Sequence, residues 1–84
     1  MYYTYILYSM LRDKYYIGCT SNPTERLKKH KAQHAGFTSA ASDWTIVHTE
    51  AFITKQAALQ REKQMKYWKS RKMIESLIQR NSAG

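Results

Sequence analysis

A single cysteine, Cys19, leaves this chain of 84 residues without an internal disulfide and short of the ligands that a zinc finger or knuckle needs. It suits a reducing compartment, so a cytoplasmic location is expected. Long apolar runs are missing as well. None approaches the roughly 20 residues that cross a bilayer, and no membrane association is expected. The opening MYYTYILYSM has neither a basic leader segment nor a small-residue cleavage site, and it reads as a strand. Linkers, repeats and low-complexity stretches are also absent. The expectation is one domain over residues 1–80, with 81–84 as a short flexible tail. Acidic residues are scarce: six stand against fourteen Lys and Arg, leaving a net charge of +8. Such an excess points to a polyanion, either nucleic acid or an anionic surface. Aromatic residues are plentiful by contrast, with seven tyrosines, and they favour nucleic acid.

The residues from Tyr2 to Ser9 are largely β-branched, aromatic or leucine, a strand signature. MLRD then makes a tight connection to a second strand, Lys14 to Cys19. The tightest hairpin of these two strands sets Tyr5 opposite Tyr16. Asn22 is placed to cap a helix, with Pro23 as its first residue and Glu25 completing a capping box. That helix is expected to reach about His34 and stop at Gly36. A third strand lies around Trp44 to Phe52. Thr54 caps a second helix, KQAALQREKQMKYW. Ser70 caps a third, whose Met73, Ile74, Leu77 and Ile78 fall on one stripe. The order is ββαβαα, an α/β fold with a three-stranded, mainly antiparallel sheet flanked by helices.

Chemistry-bearing residues gather in KYYIGCTSNPTERLKKH, residues 14 to 30. Alternation puts Tyr5 and Tyr16 on one face of the hairpin, with Gly18 on the same face. Gly18 is either a bend before the turn or a gap through which a phosphodiester reaches the tyrosines. Arg26 and His30 are four apart on one helix face, within the first turns where backbone N–H groups favour an anion. Lys28 and Lys29 add charge there. A guanidinium suits two-point phosphate contact, so Arg26 is either a phosphate clamp or part of a solvated basic face. On the second helix, Glu62 sits beside the stripe of Ala58 and Met65 that should face the sheet. A carboxylate in that position needs a partner. The choices are an ion pair with Lys66 or a lone ligand role toward Mg²⁺, which keeps most of its waters. KYWKSRK, with Lys66, Lys69 and Arg71 around Tyr67 and Trp68, either grips a phosphate backbone or marks a helix–helix joint.

Together, YTYILYS, YYIGCTSNPTERLKKH and ALQREKQMK resemble the GIY-YIG nuclease domain in a small stand-alone form, over residues 2 to about 78. Tyr3-Thr4-Tyr5 stands where the first half-motif reads Gly-Ile-Tyr, while Tyr16-Ile17-Gly18 is intact. The resemblance implies metal-dependent hydrolysis of phosphodiester bonds, in DNA that is structured, damaged or single-stranded, with a role in repair or recombination as the expectation. It implies that Tyr16 acts as or orients the general base, and that Arg26 binds the scissile phosphate. Tyr5 and His30 would support them. Glu62 would hold one Mg²⁺, with Mn²⁺ as a substitute, and a protein partner would supply targeting. Two positions depart from the pattern: Cys19, where some members carry lysine, and Ile74, where many carry asparagine. These departures favour the alternative of a non-catalytic nucleic-acid-binding module; the retention of Tyr16, Arg26 and Glu62 favours the enzyme. Cys19 itself reads as a small buried residue. Trp44, Phe52, Trp68 and Tyr15 read as packing residues. His34 and His48 show no metal-ligand spacing.

Overall fold

The computed structural model describes residues 1–32, 43–68 and 70–82, with 30–32 and 81–82 described by their backbone. Three strands, β1 (Tyr2–Ser9), β2 (Lys14–Thr20) and β3 (Thr45–Phe52), form one antiparallel sheet in the order β2-β1-β3. Three helices accompany it: α1 (Pro23–Ala32), α2 (Lys55–Trp68) and α3 (Arg71–Ser82). This is the expected ββαβαα arrangement. The expected helix end near Gly36 and the residues His34 and Lys69 lie outside the described residues. Helix α3 runs through Asn81 and Ser82, past the expected start of the tail.

Local chemistry sets the helix starts. The Asn22 side-chain oxygen accepts from Glu25 N–H at 3.1 Å, Thr54 Oγ1 from Ala57 N–H at 3.2 Å, and Ser70 Oγ from Met73 N–H at 3.3 Å. Each satisfies a backbone donor that the first helical turn leaves without a partner. The capping box at α1 is half formed. Asn22 N–H donates to Thr20 Oγ1 at 3.1 Å, the place a returning Glu25 would take.

The hairpin register differs from the expected one by two residues. Tyr5 pairs with Gly18, and Tyr16 with Leu7, because four residues rather than two connect the strands. Asp13 closes that connection with φ at 52°, a left-handed conformation that aspartate tolerates better than most residues. Even so, a shift of two keeps every side chain on its face.

The sheet separates two cores. On one side Tyr5, Leu7 and Trp44 are buried, with Tyr16, Ile46 and Leu27 of α1 packed against them. On the other, Ile6, Met65 and Ile74 are buried under α2 and α3, with Tyr15, Ile17, Val47 and Trp68 around them. A bulge in β3 places Ile6 opposite His48 and Leu7 opposite Ile46, so Val47 is the extra residue. This lets Val47 and His48 both serve the helix-covered α2–α3 side. Truncating a fully buried residue such as Met65 to alanine should cost about 2–5 kcal/mol.

Candidate active site

Strand β2 is an edge of the sheet, and the candidate groups come to that edge from both faces. Tyr5 and Tyr16 share the α1 side, their ring centroids 6.4 Å apart and the planes tilted by 38°. They are diagonal neighbours and not a directly opposed pair. The ring of Tyr5 fills the space above Gly18: a Cβ at that glycine would lie 2.5 Å from Tyr5 Cζ and 2.9 Å from Cε1. Gly18 is also paired within the strand, two residues before its end. Neither expected role for it, a bend or an opening for substrate, describes what it does. It makes room for a phenol.

Tyr5 is 1% exposed. Burial first, and then the neighbouring Tyr16 phenol, push its pKa far above the ordinary tyrosine value; Arg26 opposes this, while Glu62 and Cys19 add to it. Tyr5 is therefore a neutral hydrogen-bonding phenol at any physiological pH. A guanidinium on α1 and a carboxylate on α2 both act on a phenol of the central strand. They act together again on Cys19, whose thiol is pushed up by burial and then by Glu62, against the pull of Lys55 and Arg26. Cys19 is half-buried rather than enclosed, and a raised thiol pKa leaves little nucleophilic thiolate.

Arg26 is exposed in the first turn of α1, where its N–H bonds Asn22 O at 3.1 Å. Among the described residues no carboxylate pairs with it. Lys28 and Lys29 are exposed on the same helix; for His30 the backbone alone is described, one turn beyond Arg26. Glu62 is largely covered, its side chain 17% exposed, and its Oε2 accepts from Lys66 Nζ at 2.7 Å. That Nζ also stands 6.0 Å from the ring centre of Tyr16. The ion pair expected as one option for Glu62 thus exists, and it brings the carboxylate to the tyrosine edge already facing a cation. No group of three or more His, Cys, Asp or Glu side chains suited to a metal occurs among the described residues. Glu62 is instead a single hard oxygen donor already paired with a lysine, so an ion held there would displace that lysine and keep most of its water shell.

One expected contact to substrate is engaged elsewhere. Arg71 is held by Asp13 and Glu75, and its guanidinium lies 5.3 Å from the centre of the Tyr15 ring. It fastens the start of α3 to the hairpin, so it is a structural clasp rather than a free phosphate contact. KYWKSRK is correspondingly the joint between α2 and α3. Ile74, 5% exposed, belongs to the core, so its side chain bears on packing and not on the reacting edge.

One cluster escaped the sequence reading. Arg61 grips Glu50 with Nε–Oε1 at 2.7 Å and Nη2–Oε2 at 3.1 Å, and His48 Nε2 lies 2.8 Å from Glu50 Oε2. Burial opposes the charge of Glu50, but the bonds from Arg61 and His48 outweigh it and hold the carboxyl below its ordinary range. The alternation of β3 offered a hint, since His48 and Glu50 share a face.

Two adjacent phenols, a largely covered carboxylate beside one of them and an exposed guanidinium on the neighbouring helix α1 are parts that a phosphodiester-handling site uses. The GIY-YIG catalytic domain matches residues 1–75, and the chain belongs to this nuclease family. A UPF0213 protein of Natronomonas pharaonis is 38% identical over 65 residues, which cover 76% of this chain and 75% of that protein. No solved structure matches the chain. No helix among the described residues is long and apolar enough to cross a membrane.

Proposed function

We propose that this chain is a metal-dependent endonuclease acting on structured, damaged or single-stranded DNA, in the cytoplasm and in the service of repair or recombination. One observation carries the reading: Lys66 Nζ lies 2.7 Å from the Glu62 carboxylate and 6.0 Å from the centre of the Tyr16 ring, itself 6.4 Å from that of Tyr5, so the proposed metal ligand and the two phenols neighbour one another.

The roles follow from the surroundings. Half-buried Tyr16 takes a proton from the attacking water or orients it. Neutral Tyr5 packs beside Tyr16 and fixes the position of that ring. Arg26, exposed and without a carboxylate partner among the described residues, forks onto the phosphate, aided by His30 one turn on. Lys28 and Lys29 hold neighbouring phosphates. Glu62 would hold Mg²⁺ or Mn²⁺ with water completing the shell. When bound, such an ion stabilises the leaving oxygen and the charge that develops on the phosphate. A protein partner would supply targeting.

The test is cleavage of labelled single-stranded, duplex and branched DNA in Mg²⁺, Mn²⁺ or EDTA, with Glu62→Gln and Tyr16→Phe as controls. Metal-dependent cutting that both variants lose is the expected result. If salt-sensitive binding persists without any cutting, the chain is a binding module and not a nuclease.

A further inference from the structure

On the side of the sheet away from Tyr5 and Tyr16, α2 and α3 enclose a cleft of about 480 Å³. That size is within the range that seats a small ligand or a nucleotide unit, roughly 300–1,000 Å³. Its apolar part consists of Trp68, Met73 and Leu77; Arg61, Lys72 and Arg80 supply charge, and no carboxylate lines it. Trp68 and Leu77 also pack on the core, which fixes their positions, whereas Met73 is 46% exposed. Arg61 is matched by Glu50 and lies over the Trp68 ring, 5.3 Å from its centre. Lys72 and Arg80 are exposed, and among the described residues neither meets a carboxylate. The cleft therefore offers an apolar surface with two cations on α3 still to be matched.

The cleft is linked to the tyrosine edge. A hollow of about 310 Å³ shares Ser70 with it, and shares Tyr15, Ile17 and Lys66 with another of about 360 Å³ beside Tyr16. Shared lining residues thus relate the cleft to the surface beside Tyr16.

We infer that the cleft binds single-stranded nucleic acid, bases against Trp68, Met73 and Leu77 and phosphates against Lys72 and Arg80. Its role as the seat of the strand flanking a cut rests on the nuclease reading; its binding does not. A duplex offers mainly its phosphates to such a surface and leaves the apolar part bare. An unpaired strand presents both phosphates and base faces.

The test uses the full chain carrying Glu62→Ala, in EDTA, so that binding is read without turnover. The probes are a fluorescein-labelled oligothymidylate and a duplex of the same length. Adding Lys72→Glu with Arg80→Glu should weaken single-strand binding more than tenfold. It should also flatten the log–log salt slope by about 1.4, two contacts at roughly 0.7 each. Reversing Arg12 and Lys63, exposed cations outside the cleft, removes equal charge and should change affinity far less. Binding should quench tryptophan emission through Trp68, because Trp44 is 1% exposed, and Trp68→Phe should abolish the quench. Equal losses in the two charge-reversed pairs would overturn the inference. So would unchanged affinity after reversal of Lys72 and Arg80, or displacement of the oligonucleotide by poly-glutamate at equal charge. Failure of the wild type to cleave any DNA would instead sink the nuclease reading and leave this site standing.

Discussion

The ring of Tyr5 occupies the space above Gly18, its partner across the hairpin, where any other residue would place a side chain. Gly18→Ala must push the ring out of the buried cluster it forms with Trp44 and Leu7. Overpacking of this kind costs about 1–3 kcal/mol. The urea midpoint should fall accordingly, and cleavage should fall with it because Tyr16 leans on the displaced ring. An unchanged midpoint would show that the ring has somewhere else to go.

Arg26 is exposed and contributes little to the fold, so Arg26→Ala should alter stability by no more than about 0.5 kcal/mol. Its removal should cut the rate of phosphodiester cleavage by roughly 10²–10³, the usual loss for one positioned donor. Arg26→Lys should recover only part of that rate, since an ammonium lacks the two-point fork. Single-turnover cleavage alongside thermal melts separates the two effects.

Lys66 competes for the Glu62 carboxylate that it now holds. Lys66→Met should tighten Mn²⁺ binding roughly twofold, in keeping with the ~0.3–0.5 kcal/mol of such a helical pair. Titration of free Mn²⁺ by electron paramagnetic resonance reads the affinity directly. Weaker Mn²⁺ binding would mean that the lysine helps the site instead of competing with it.

The hydrogen bond from Arg71, followed by that from Tyr8, lowers the Asp13 carboxyl to about 2 from an ordinary 3.8. The folded form thus prefers the charged carboxylate. Its contribution is fully present above the unfolded value and is lost as pH falls through 3.8 toward 2. Arg71→Gln should move the Asp13 carboxyl carbon titration up toward its ordinary midpoint. It should also remove that part of the acid dependence of stability, as carbon-detected NMR and acid unfolding would show.

Glu50 poses the larger electrostatic risk, since its charge is partly covered and tied to α2 by Arg61. Arg61→Met should cost about 1.5–3 kcal/mol, the range for a bond to a charged group. That is below the loss expected of a fully buried pair. The lowered carboxyl means the network stabilises above the unfolded Glu value and weakens as pH falls. The deficit of Arg61→Met relative to the wild type should therefore shrink in acid.

The strands, the three helix starts and the two-sided core were legible because their causes are local. Asn22, Thr54 and Ser70 announce their helices within three residues, and the alternation along Tyr2–Ser9 does not depend on register. The register itself depended on Asp13 adopting a left-handed turn, which nothing in MLRD specifies. Arg71 looked like a phosphate contact because its partner Asp13 is 58 residues away in sequence. The grip of Arg61 on Glu50 spans 11 residues and two elements, beyond any helical or strand period. Tyr5, Tyr16, Arg26 and Glu62 stood out by alternation and helical spacing and took their roles from the resemblance, whereas the Lys66 bond to Glu62 was one of two options that helical spacing left open.

Strand β1 lies at the centre of the sheet, and its two neighbours are joined to it at different times in synthesis. Its β2 pairing closes over four residues, while Thr45 and Tyr8 are 37 apart. Closing the longer span costs more chain entropy, so the hairpin can form while the remainder is still emerging. The phenols are therefore laid down first, and the Glu62 carboxylate arrives only once α2 has left the ribosome. A half-made chain can therefore pair its tyrosine strands while it still lacks Trp44, which packs with Tyr5, and the group proposed to hold the cation.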